Sequence, residues 1–379
     1  HGPSKCGFMA ASGYDAIASE AAKLSKRCTL VVATAIFGRK DKLQQPDGTA
    51  AEERECFFAI VDSESATFFA ETASPSLRRQ AIANPSLLSR RRVGVWRLLV
   101  LQLSRSPYPG EPRRASRVPK LLPFRLFPRA PYFLWIDGKL KLLVPPMELI
   151  HRYLIAPRAA LALPRNLRRD HIDEEMKCIR GTLSAEPHKL LRADARKVEA
   201  QWRFYVDEQR NESLGRGAVG ASTGDGDAEE WMRRTACAEG AMIVADLRSE
   251  LAKCVLCAWF NEWHRFGERD QLAFSYVLHA MARTPPLLVE NDAEGDQQAP
   301  RPDSVPASRG RAAGKTRKRT PLAHRGVFLW PRNEHWNYKP RADEAKPIRY
   351  VRYVGHGGCS DRAQLDRTGQ RTRPNKGCN

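Results

Sequence analysis

The stretch Tyr132-Phe-Leu-Trp-Ile-Asp137-Gly138-Lys139-Leu140 decides the fold class. Its first five residues are large and mostly apolar, and the run stops abruptly on an acid, a glycine and a lysine. A short continuous apolar run reads as a strand buried on both faces. An acid at the carboxyl end of such a strand stands where open α/β sheets bind their ligands. Glycine beside it lets another backbone or a phosphate come close, and lysine adds a mobile positive charge. The competing reading of the same residues is a tight Asp-Gly turn closing a hairpin.

Working outward, Thr29 to Phe37 is a β-branched strand ended by Gly38, with Asp41 in the polar loop beyond. Cys56 to Asp62 is a second strand ended by an acid, and Trp96 to Leu101 a third. Ala159 to Leu163 and Ala241 to Val244 read as further strands. Helical spacing is expected over 147–155, 170–180, 187–210, 251–266 and 270–282. Residues 63–92 read as an inserted loop, and Ser104 to Pro119 as a proline-rich loop. This alternation argues for a three-layer α/β domain over 28–285, preceded by an N-terminal segment, 1–27. Residues 286–379 read as a low-complexity basic linker and C-terminal tail, with 215–227 and 290–320 expected to be flexible.

The chain carries 63 basic and 43 acidic residues, a formal net charge of +20. Arginine prefers flat anions such as phosphate and carboxylate, so an anionic partner is expected. The run Arg309 to Arg319 looks like a nucleic-acid patch, yet it lacks interleaved aromatics for base stacking. A solvated linker is the preferred reading, and nucleic acid is not expected as a partner. No apolar run approaches 18 residues, so no segment is expected to span a membrane. The chain starts at His1, so its true N-terminus is expected upstream, and membrane contact only through an anchor there.

Nine cysteines leave at least one without a partner in the chain. Cys28 and Cys56 each precede an apolar run, and their sulfurs could meet if those runs are neighbouring parallel strands. Such a bond would imply an oxidising compartment. Cys254-Val-Leu-Cys257 has redox or zinc-like spacing, but no second ligand pair is visible. Its cysteines are expected to be small buried residues of an amphipathic helix.

Several motifs in order resemble one family: Thr34-Ala-Ile-Phe-Gly38 with Asp41; Cys56 to Asp62; Val118-Pro-Lys-Leu-Leu122 with Arg125-Leu-Phe-Pro128; Trp135-Ile-Asp-Gly-Lys-Leu140; and Trp259-Phe-Asn-Glu262 with Arg265-Phe266 and Arg269-Asp-Gln271. They are similar to the plant and algal glycosyltransferase-like family long carried as a domain of unknown function and linked to turgor regulation and seed mucilage. The resemblance covers roughly residues 28–285. It implies a GT-A-like fold that binds a nucleotide-diphosphate sugar, residence in the Golgi, and an N-terminal membrane anchor. The sequence departs from the family pattern at Ala33, Phe124, Pro145 and Asn166.

The implied reaction moves a sugar from a nucleotide-diphosphate donor to a cell-wall or mucilage polysaccharide, with acidic, pectic polymers favoured by the charge. Many such enzymes hold the diphosphate with Asp-x-Asp and manganese or magnesium, which take oxygen ligands. Here Lys139 occupies the second acid's place. Either Asp137 is a lone metal ligand, or Lys139 and nearby arginines replace the metal, which is the preferred reading. Gly38, Asp41, Asp62, Asp137, Gly138, Lys139, Arg165, Arg169 and Gln271 are the candidate donor-binding residues. For Asp62 a helix-capping role competes, and Arg165 and Arg169 could instead pair with Asp173, Glu174 or Glu175. Asp270 is the first candidate for a catalytic or sugar-binding carboxylate, although it could cap its helix, and Glu262 is the second. Two alternatives stand beside this reading: a hydrolase acting on lipid amides through a metal-bound water, and a catalytically weakened carbohydrate-binding member of the family.

Overall fold

The computed structural model describes residues 6–7, 12–47, 54–185, 196–208, 230–267, 269–283, 326–330 and 351–353. Ten strands are present among them: β1 (Leu30–Ile36), β2 (Glu55–Asp62), β3 (Arg92–Val93), β4 (Trp96–Leu101), β5 (Tyr132–Ile136), β6 (Leu140–Leu142), β7 (Leu161–Pro164), β8 (Met242–Asp246), β9 (Val327–Trp330) and β10 (Val351–Tyr353). Eight form one sheet in the order β3-β4-β2-β1-β5-β8-β7-β9, while β6 pairs with β10. Strands β4, β2, β1 and β5 run parallel, and β8 lies antiparallel to both its neighbours, β5 and β7.

The apolar runs explain this burial. β1 is buried along nearly its whole length, as are β2 and β5. Alternate residues feed opposite faces. Val31, Ala33, Phe133 and Trp135 pack on one side with helix α1 (Gly13–Leu24) and the long helix Glu250–Phe266. Leu30, Val32, Leu134 and Ile136 pack on the other with α2 (Ser63–Ala73) and the segment Pro146–Ile155. Helices on both faces make the three layers that the alternation of elements predicts.

The chain runs outward through β1, β2 and β4, then returns to place β5 on the other side of β1. The strand order therefore reverses between β1 and β5. In open α/β sheets the crevice outside the carboxyl ends of the strands at such a reversal is where ligands bind.

Several expectations need correction. Residues 63–92 are not a loop: they form α2, α3 (Pro75–Ala83), a 3-10 turn (Pro85–Leu88) and the start of β3. The region Ser104 to Pro119 contains α4 (Pro112–Ala115) and the start of α5 (Arg117–Leu121). Cys257 is not merely a small core residue, because it is bonded to Cys6, whereas Cys254 is exposed and free. The folded unit also reaches beyond 28–285. α1 and Cys6 lie in the core, β9 adds the sheet's last strand, and β10 pairs with β6. The segments 215–227 and 290–320, expected to be flexible, lie outside the described residues.

Other expectations agree. Cys28 and Cys56 are disulfide-bonded at the start of two adjacent parallel strands. The Asp137-Gly138-Lys139 turn exists, closed by the Leu140 N–H donating to the Asp137 carbonyl at 2.9 Å. It does not close a hairpin, since β5 and β6 belong to different sheets.

A crevice at the strand-order reversal

The turn after β1 contains two consecutive left-handed residues, Gly38 (φ 63°) and Arg39 (φ 54°). Arg39 adopts a conformation disfavoured for a side-chain-bearing residue, so neighbouring contacts must hold the turn. The Gly38 N–H donates to Asp62 at 2.8 Å, and the Arg39 N–H to the Ser65 hydroxyl at 3.0 Å. The other Asp62 oxygen caps α2 by accepting from the Ser65 N–H at 2.8 Å. Asp62 thus fastens the loop after β1 to the start of α2. Its carboxylate is engaged with backbone, as the capping reading anticipates.

Opposite this turn stands the end of β5. One Asp137 oxygen accepts from the Trp135 indole at 2.7 Å, and the other lies 3.9 Å from the Lys139 ammonium. The Asp137 side chain keeps 21% of its surface exposed. Gly138 is where the two strand ends meet. A Cβ there would stand 2.9 Å from Ile36 and 3.0 Å from Asp41, closer than real side chains tolerate. Glycine is therefore required for the approach. Gly38, Asp41, Asp62, Asp137, Gly138 and Lys139 gather in this one region.

Asp270, the first residue of the helix Asp270–Arg283, is placed beneath it and is only 3% exposed. Lys120 donates to it through a short hydrogen bond, and the Arg117 guanidinium lies 3.5 Å away. Burial pushes the Asp270 carboxyl up, but Arg117 and Lys120 pull it further down, so its pKa ends well below the usual carboxylate range. Lys120 is 1% exposed and feels both Asp270 and Asp137. A Cβ on Gly240 would stand 2.6 Å from the Lys120 nitrogen and 3.2 Å from the Asp270 oxygen, so glycine there leaves room for the ion pair. Gly240 also precedes Ala241, whose carbonyl accepts from the Asp137 N–H at 2.9 Å. The buried pair and the exposed acid are thereby joined through two short backbone steps. Gln271 follows Asp270, half-buried on the same helix.

The remaining candidates lie in other surroundings. Arg169 is buried and paired with Glu175 at 2.6 Å, and Arg165 reaches Asp170 at 4.0 Å. The Asn166 side chain accepts from the Arg168 and Arg169 N–H groups and shapes that turn. Glu262 shares a cluster of aromatic rings with Tyr205 and Tyr276, on the side of its helix that faces residues 196–208. Burial raises its pKa, against the opposing effects of Tyr205 and Arg265. His264 meets the Tyr108 hydroxyl at 2.5 Å, and burial lowers its pKa.

Three residues at the crevice escaped the sequence reading: Arg117, Lys120 and Gly240. The available signal was Lys120 itself, a charge inside the apolar Val118-Pro-Lys-Leu-Leu122 run. A buried lysine demands an acid partner, but nothing in the sequence points 150 residues ahead to Asp270. Among the described residues, no group of three or more His, Cys, Asp or Glu side chains could hold a metal ion. A cavity of about 320 Å³ lined by Tyr132, Ile155, Arg158, Asp246 and Ser249 opens at the opposite end of β5.

The chain matches the family model described as TOD1/MUCI70, glycosyltransferase-like domain, over residues 3–292. It is 31% identical over 285 residues to an Arabidopsis thaliana protein named "Probable hexosyltransferase MUCI70", covering 73% of this chain and 43% of that one. It is 27% identical over 294 residues to the Arabidopsis thaliana "Alkaline ceramidase TOD1", covering 72% of this chain and 52% of that one. The chain thus spans about half the length of these relatives. Among solved structures, the WbbM bifunctional glycosyltransferase aligns at TM-score 0.33 and 12% identity, over 66% of this chain and 37% of that one. Mouse xyloside xylosyltransferase 1 aligns at TM-score 0.31 and 11% identity, over 65% of this chain and 80% of that one.

Proposed function

The chain belongs to the TOD1/MUCI70 glycosyltransferase-like family, and from that premise we propose that it transfers a sugar from a nucleotide-diphosphate donor to a polysaccharide. The observation that carries the reading is Asp137, a partly exposed acid flanked by Lys139 at the strand-order reversal between β1 and β5. Asp137 is oriented by the Trp135 indole, so it can fix a donor hydroxyl or phosphate-bound group without first losing side-chain freedom. Lys139 supplies positive charge where negative charge develops on the leaving diphosphate.

The donor set fits a cationic clamp better than a metal. One Asp137 oxygen is already bonded to Trp135, the other faces Lys139, and Lys120 lies close behind. A divalent ion bound there would screen the diphosphate, with Asp137 as its ligand. Asp270, buried with Lys120 and Arg117 both at its Oδ2, acts on the site by holding those cations. The net charge of +20 favours an acidic, pectic acceptor of the cell wall or mucilage, and a Golgi location agrees with that substrate. Hydrolysis of a lipid amide, suggested by the name of the 27% identical relative, has no metal-holding cluster among the described residues to support it.

The test is a turnover screen of nucleotide sugars with polygalacturonate or neutral glucan as acceptor, with manganese or with EDTA. Transfer to polygalacturonate that persists in EDTA is expected. Asp137→Asn should lower kcat more than it weakens donor binding. Sugar transfer undiminished in Asp137→Asn, or release of fatty acid from ceramide in place of transfer, would overturn the reading.

A further inference from the structure

A nearly continuous helical run, Pro112–Ala115 followed by Arg117–Leu121, lies beside the crevice. Ser116 between the two is itself in the right-handed helical region. Arg113, Arg117 and Lys120 stand at i, i+4 and i+7 along this run, a spacing that puts them on one face. They pass from solvent to interior: Arg113 is exposed, Arg117 half-buried and Lys120 buried. The inner end is fixed by Asp270, which Arg117 approaches at 3.5 Å and to which Lys120 donates. The outer end is fixed by Pro112, whose ring lies 3.9 Å from the place a Gly38 Cβ would occupy. Arg114 faces elsewhere, over the rings of Tyr108 and Trp263. The row therefore begins at the turn after β1 and ends behind Asp137.

We propose that Arg113 and Arg117 form an anion site that takes the diphosphate of the donor, with the Lys120–Asp270 pair as its buried anchor. This rests on the glycosyltransferase reading for the identity of the donor, but not for the anion chemistry. The row carries three positive charges, and the buried Asp270 carboxylate lies against its two inner members. Guanidinium groups bind phosphate oxygens through paired N–H donors. Asp270 acts as a positioning residue: it holds Arg117 and Lys120 so that the outer guanidinium face points along the row. Lys139 then closes the site from the β5 side.

The test uses inorganic pyrophosphate as the probe, titrated calorimetrically into the full chain and into Arg113→Ala, Arg117→Ala, Arg117→Lys and Arg129→Ala. Arg129 is an exposed arginine outside the row and serves as the charge control. The expected result is at least tenfold weaker binding in Arg113→Ala and Arg117→Ala, partial recovery in Arg117→Lys, and less than a twofold change in Arg129→Ala. Arg113 is exposed, so Arg113→Ala keeps the fold even if Arg117→Ala does not. Absence of pyrophosphate binding in the unaltered chain, unchanged affinity in Arg113→Ala, or an equal loss in Arg129→Ala would each overturn the proposal. Pyrophosphate binding that depends on these arginines, without turnover of any nucleotide sugar, would leave the anion site standing and sink only the transferase reading.

Discussion

Asp270 offers the sharpest case at the scale of single residues. It is buried, with Lys120 and Arg117 both drawn to the same carboxylate oxygen, Oδ2. Breaking a buried pair by removing one partner leaves an uncompensated charge and costs roughly 3–5 kcal/mol. Asp270→Asn should therefore lose that much stability in urea unfolding at pH 7, and Lys120→Met added to it should restore most of the loss. A loss below about 1 kcal/mol would mean that Lys120 finds water or another partner. The pH dependence has a definite sign. The folded pKa of Asp270 is depressed, so its contribution is fully present above the unfolded carboxylate value of about 3.9. That contribution is lost as pH falls from there toward the depressed folded value. Asp270→Asn should accordingly flatten the acid limb of the stability profile. The placement of Asp137 at the crevice was legible because an acid that ends an apolar run marks the carboxyl end of a buried strand. Lys120 was not, since its partner lies 150 residues away and only the fold brings them together.

At the scale of elements, the strands announced themselves and several helices did not. β1, β2, β4 and β5 are short, mostly apolar runs rich in β-branched and aromatic residues, and such runs admit few other readings. α3 and α4 each open on a proline in the first turn. Proline there loses no needed hydrogen bond and presets the helical φ, yet in a sequence it reads as a breaker. That is why residues 75–88 and 112–115 resembled loops. Elements distant in sequence are also tied covalently. Cys6–Cys257 closes 251 residues and fastens the N-terminal segment to the helix Glu250–Phe266. Cys28–Cys56 closes 28 residues across β1 and β2. Cross-linking a long loop restricts the unfolded chain more than a short one, within a typical range of roughly 2–5 kcal/mol for a native bond. The double substitution Cys6→Ser/Cys257→Ser should thus lower stability by roughly 2–5 kcal/mol. Equal unfolding midpoints for this variant and the unaltered chain would show that the bond contributes nothing.

For the whole molecule, the question is where the folded unit ends. Composition places a boundary near residue 285, because apolar residues become sparse beyond it. The sheet does not stop there. Val327–Trp330 pairs with β7 in parallel, and the Gly326 carbonyl accepts from the Leu161 N–H at 3.0 Å. Trp330 is 1% exposed, and its ring stacks on Tyr153 at 3.8 Å and 7°. Four residues that follow a long polar stretch carry too little periodicity to be recognised as a strand, so this element was illegible for want of length. Its removal has two costs. Loss of a buried tryptophan is worth roughly 3–5 kcal/mol, and the uncovered β7 edge presents unpaired N–H and C=O groups to other chains. A chain ending at 285 should therefore unfold at markedly lower urea than one ending at 355, and should associate as concentration rises. Trp330→Ala in the 379-residue chain separates the two effects, since it removes the ring and leaves the strand. It should reproduce the loss of stability without the association. If the chain ending at 285 instead stays monomeric and unfolds at the same urea concentration as the one ending at 355, β9 is no part of the folded unit, and the boundary drawn from composition is the right one.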